Sequence, residues 1–113
     1  MTLIQVIENA ILDKKGNDVQ IIDFKDQHSM VDAFVITDAQ TIRQVWAIVD
    51  HIKESVLKAG FAIGNIEGDN NSRWVLIDCL DVVAHVFVSE ERQVYQLEKL
   101  WGDYLKNQKT TVS

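Results

Sequence analysis

The chain has 113 residues, 47% of them apolar and 25% charged, with a formal net charge of −6 and an isoelectric point near 4.9. That length suits one domain over residues 1–113 with a sizeable core, and the even composition excludes a disordered chain. The lack of a long basic run excludes an autonomous, sequence-specific nucleic-acid binder, and no apolar run approaches a membrane span.

Residues 3–15 read as an amphipathic helix with Leu3, Ile7, Ala10 and Ile11 on its apolar stripe and Gly16 as its C-terminal cap. Lys14 and Lys15 suit the negative end of its dipole. Residues 19–24 (VQIIDF) predict a strand, KDQHS a polar loop, and 30–37 (MVDAFVIT) a second strand. Residues 41–59 are the clearest helix, with Val45, Ile48, Val49, Ile52 and Val56 as its buried stripe. Asp38 or Thr41 caps its start and Gly60 ends it. Trp46 lies off that stripe, as a core-edge aromatic or as part of a contact surface.

Three strands follow, 61–66, 73–78 and 82–88, the last two joined by a two-residue hairpin loop at Cys79 and Leu80. The run VVAHVFV is nearly all apolar, which predicts a central strand covered on both faces. Ser89 caps a last helix, with Glu90 and Glu91 in its first turn and Val94, Leu97, Trp101, Tyr104 and Leu105 along its stripe. Residues 107–113 read as a frayed tail. The order α-β-β-α-β-β-β-α predicts a single-domain α/β fold, a mixed five-stranded sheet flanked by helices.

Pairing Asp78 with Asp81 across the hairpin sets Leu76 opposite Val83 and Trp74 opposite His85. Trp74, Leu76, Asp78, Asp81, Val83 and His85 then share one face, while Val75, Ile77, Val82, Ala84 and Val86 form an apolar core face. The first set, an aromatic with two acids and a histidine, is either a binding surface or a chemical site.

Asp78, Asp81 and His85 would be the start of a metal or phosphoryl-transfer site. No glycine-rich phosphate loop, Walker lysine or nucleophile elbow accompanies them, and acids beside a tight turn ordinarily bond its backbone. Asp23, Asp26 and Asp32 read the same way, as turn and surface acids. His28, His51 and His85 lack zinc-ligand spacing, and His85 reads as a packed, hydrogen-bonded histidine. The single cysteine, Cys79, reads as inert packing and fits a reducing cytoplasm; the opening MTLIQVIENA lacks the form of a signal peptide. No metal or cofactor is expected. Trp74 among acids matches binding better than catalysis, and the acidity of the chain suits a basic protein partner.

From Glu67 to Trp101 the chain reads EG, then RWVLIDCLDVVAHVFVSEERQVYQLEKLW. This resembles the Iojap family of ribosomal silencing factors, with its EG, WV-L-D-GD-V-VH-F and EER-YY-LE-LW pattern. Asp23, Ser29, Asp32, Phe34, Val35 and Ile36, then Arg43, Gln44, Val45 and Ala47, extend the match upstream. The resemblance covers nearly the whole chain after residue 18. It implies a nucleotidyltransferase-like fold without the catalytic Gly-Ser and paired-acid motif, which this sequence lacks too. It also implies a cytoplasmic, non-enzymatic protein that binds the large ribosomal subunit through the protein numbered fourteen at the intersubunit face. Occupying that face would block subunit association and repress translation under nutrient limitation.

The family's contact surface carries over to Trp74, Asp78, Leu80, Asp81, Tyr95 and Glu98. Departures are Leu80 where the family has glycine, the segment TDAQTI at 37–42, and Ala33 and Trp46. A nucleotide- or metal-binding nucleotidyltransferase relative and a non-ribosomal interaction domain are the alternatives, and a homodimer of the free chain is left open.

Overall fold

The computed structural model describes residues 1–24 and 31–94, the last three through their helical backbone. The elements are α1 (Leu3–Asp13), β1 (Asn17–Asp23), β2 (Ala33–Ala39), α2 (Ile42–Lys58), β3 (Asn65–Glu67), β4 (Trp74–Asp78), β5 (Val82–Val88) and α3 (Ser89–Val94). This is the predicted order. The strands form one mixed sheet in the order β1-β2-β5-β4-β3. β2 and β5 run parallel, and the other pairs are antiparallel. β5 is central as its composition predicted, and all seven of its residues are buried.

Both long helices start on threonine caps. Thr2 forms a reciprocal capping box with Gln5, and Thr41 Oγ1 accepts the Gln44 N–H at 3.1 Å, which decides between Thr41 and Asp38 as the α2 cap. α2 ends as expected at Gly60, with φ of 91°: the Gly60 N–H bonds Leu57 O and the Phe61 N–H bonds Val56 O, the two bonds of a Schellman motif. α1 ends in the same motif, but its left-handed residue is Lys15, φ 60°, and not Gly16. Gly16 has a different reason to be glycine. A Cβ there would lie 2.4 Å from Ile11 Cγ2 and 2.8 Å from Thr37 Oγ1, where β1 leaves the helix.

The buried stripe of α2 is the predicted one, Val45, Ile48, Val49, Ile52 and Val56. In α1 the buried residues are Val6, Ile7, Ala10 and Ile11, with Leu3 at the margin. Both helices pack on the sheet face made by Ala33, Val35, Ala39, Val75, Ile77, Val82, Ala84, Val86 and Val88. Each fully buried valine or isoleucine there contributes about 1.5–3 kcal/mol relative to exposure.

Strand bounds differ from expectation by one to four residues, most at two places. β2 begins at Ala33 rather than residue 30, because residues 31 and 32 bend across the hairpin end: the Asp32 N–H bonds Asp81 O at 2.6 Å. Only residues 65 and 66 of the segment 61–66 are strand, in a β3 that runs from Asn65 to Glu67. Phe61 spends its N–H on the α2 terminus and Gly64 bonds Asp78 O at 2.8 Å, so the apolar run there closes a helix end before it can join the sheet.

Candidate protein-docking face

The opposite face of the sheet is built differently. Phe24, Phe34, Ile36, Val83 and Phe87 form its buried centre, with Ile22, Val31, Trp74 and Leu76 packed at the margin. Phe24 and Phe34 meet edge to face at 4.9 Å, and Trp74 stacks on Phe87 at 5.0 Å with 20° between planes.

The hairpin that carries this face turns one residue later than predicted. Leu76 lies opposite His85, Trp74 opposite Phe87 and Asp78 opposite Val83. The Cys79 N–H bonds Val82 O at 2.9 Å, so the two loop residues are Leu80 and Asp81. Asp78 and Asp81 therefore do not pair. The Asp81 N–H bonds Cys79 O at 3.0 Å around Leu80, whose φ is 72°. That is the strained, left-handed form of a three-residue turn, at the position where a glycine would be at ease. The predicted faces survive because moving the loop by one residue moves the pairing by two, and only an odd shift turns a strand over.

The predicted contact residues fall into two groups at opposite ends of β4, about 13 Å apart along the strand. At one end Trp74 is half-buried beside the start of α3. At the other are the turn residues. Asp78 Oδ1 accepts the Leu80 N–H at 2.8 Å, so this carboxylate braces the turn. Leu80 is 54% exposed and lies over Gly64, where a Cβ would approach its Cδ2 to 3.1 Å. Asp81 is exposed. Tyr95 and Glu98 lie outside the described residues, as do Asp26, His28, the later stripe of the last helix and the tail.

His85 is 3% exposed and only partly satisfied. It sits 4.4 Å from the Phe34 ring, and its Nδ1 accepts the Trp74 Nε1–H at 3.1 Å, while Nε2 has no partner among the described residues. The contact with Trp74 is thus diagonal rather than directly cross-strand. Burial pulls the imidazole pKa down from 6.5 to about 4, so the ring is neutral near neutral pH. Burial, with Asp78 adding to it, pushes the Cys79 thiol up to about 11, which fits inert packing. Among the described residues no three His, Cys, Asp or Glu side chains gather as a metal site would require, and no helix is long and apolar enough to cross a membrane.

Around the face, Arg73 is drawn to Glu90 at 3.5 Å and Glu91 at 3.8 Å. Ser89, predicted to precede the last helix as its cap, is the first residue of α3, and its hydroxyl donates to Asp38 Oδ1 at 2.6 Å, tying the start of α3 to the buried end of β2. Trp46 is a core-edge aromatic, half-buried on the helix side, with its indole N–H bonded to Asp69 O at 3.0 Å. Phe34 and Phe87, the floor beneath Trp74 and His85, were not among the expected contact residues. The alternation that placed His85 on this face places Phe87 there too.

A family model described as ribosomal silencing factor during starvation matches residues 1–113. A ribosomal silencing factor of Halalkalibacterium halodurans is 43% identical over 101 residues, 89% of this chain and 86% of that protein. A crystal structure of a Chromobacterium violaceum protein superposes with a TM-score of 0.81 at 32% identity, covering 88% of this chain and 83% of that one. A mouse protein named for mitochondrial assembly of the ribosomal large subunit is 27% identical over 87% of this chain and 44% of its own length. The chain belongs to the family of ribosomal silencing factors, regulatory proteins rather than enzymes.

Proposed function

We propose that the chain docks on the large ribosomal subunit, on the protein numbered fourteen at the intersubunit surface, and that its bulk there keeps the small subunit from joining. The observation that carries this reading is the half-buried Trp74, held by Phe87 and His85 in a chain that belongs to a silencing family. Tryptophan is enriched among interface hot spots, and one already oriented loses little freedom on binding. Asp78, Leu80 and Asp81 at the hairpin tip, with Tyr95 and Glu98, complete the proposed contact set. The two ends of β4 fit within one interface of ordinary size, about 800 Å² per partner.

The net charge of −6 suits a basic ribosomal protein by steering the encounter. The mouse relative, named for large-subunit assembly, points to the same subunit. Occlusion needs no chemical step, only a bound protein where a competitor must sit. The protein would act in the cytoplasm and lower translation when nutrients limit.

The test is subunit joining followed on sucrose gradients. Large subunits incubated first with the chain should fail to join small subunits, and the Trp74→Ala variant should let them join. Normal joining at a saturating excess of the unaltered chain would contradict the reading.

A further inference from the structure

We propose that His85 is a positioning residue for docking: its Nδ1 takes the indole proton of Trp74 and holds that side chain in the orientation a partner meets. This rests on the docking reading above and extends it inward, to a residue that no partner touches.

The hydrogen bond defines the chemistry. An indole N–H can only donate, so the 3.1 Å contact requires a bare lone pair on His85 Nδ1. The ring proton then sits on Nε2, which is buried and has no partner among the described residues. Leaving such a group unpaired is costly, and packing alone gives no reason for it. The rings around His85 among the described residues are Phe34 at 4.4 Å, Trp74 at 5.7 Å and Phe87 at 6.4 Å, a setting in which a phenyl ring would do as well. What the imidazole adds is the one acceptor that Trp74 uses.

Two of the contacts on Trp74 are complementary. Stacking on Phe87 at 5.0 Å sets the plane of the indole. The bond to Nδ1 selects which edge turns toward the sheet. It also consumes the only hydrogen-bond donor of the side chain. The partner therefore meets an apolar, π-rich surface with its polar atom already satisfied, one suited to an aliphatic side chain or the stem of a lysine or arginine.

Two variants of the full chain separate positioning from packing. His85→Phe keeps a flat ring and removes the acceptor, whereas His85→Asn places an amide oxygen near the Nδ1 position. In 15N-labelled protein the Trp74 indole N–H, assigned by its loss in Trp74→Phe, should exchange slowly with solvent. His85→Phe should remove that protection and weaken binding to purified large subunits by about tenfold, and His85→Asn should restore both. Unchanged indole protection and binding in a folded His85→Phe protein would overturn the proposal.

The unaltered chain offers a check that needs no variant to fold. Its imidazole 15N shifts should show a bare Nδ1 and a protonated Nε2, and the opposite tautomer would overturn the proposal. Should the unaltered chain fail to bind large subunits while the indole remains protected, the docking reading falls and the Trp74–His85 geometry stands.

Discussion

The two faces of the sheet solve different problems. The face under α1 and α2 is aliphatic and fully buried, filled by alternating valine, isoleucine and alanine. The other carries three phenylalanines, Trp74 and His85, and runs out to an acidic, strained turn at Leu80. Buried polar groups without a full set of partners are costly in a fold built for stability alone. Among the described residues the one such side-chain atom, His85 Nε2, lies on this second face.

The largest expected effect lies on the helix side. Ile52→Ala removes a fully buried side chain from α2 and should cost about 2–5 kcal/mol of stability, read by denaturant unfolding. The folded fraction should dock normally, and a docking defect beyond the folding loss would break the division between the faces.

Next comes His85. Its folded pKa, about 4, lies below the 6.5 of the unfolded chain, so the unfolded state takes up the proton first as pH falls. The stability is therefore fully present above about pH 6.5 and is lost as pH drops toward 4, by roughly 3 kcal/mol over that window. Unfolding measured across that range in His85→Asn should lack this part of the slope. An unchanged slope would mean that the imidazole is not buried as a neutral group.

Trp74→Ala should weaken docking by about 1–3 kcal/mol while circular dichroism shows the fold retained. The smallest effect sharpens the comparison most. Leu80→Gly relieves a left-handed backbone and should stabilise the chain by up to about 1 kcal/mol while weakening docking, since Leu80 is half-exposed at the hairpin tip. Gains in both quantities would remove Leu80 from the contact set.

Legibility divides along the same line. The α2 stripe and the nearly all-apolar β5 were readable because the helical period decides the first and an unbroken buried run the second. The two-residue loop was readable in kind but misplaced by one position. Leu80 carries the positive φ without the glycine that would have advertised it, and the hydrogen bond of Cys79 to Val82 that sets the register is invisible in composition. Trp74, Asp78 and His85 were legible as sharing a face, since alternation tolerates that error. That Asp78 is spent on bracing Leu80, and that His85 reaches diagonally to Trp74, depend on where side chains land in three dimensions. Lys15 shows the same limit: the motif ending α1 was anticipated through Gly16, but close packing against Ile11 and Thr37 is what demands glycine there.

The most direct test of the docking account is co-sedimentation with isolated large and small ribosomal subunits, at low and at moderate salt, using the unaltered chain and a folded Trp74→Ala variant. The account predicts that the unaltered chain pellets with the large subunit only, and that the variant stays in the supernatant. Equal pelleting of both proteins would contradict the proposed face, and no pelleting at either salt concentration would contradict docking itself.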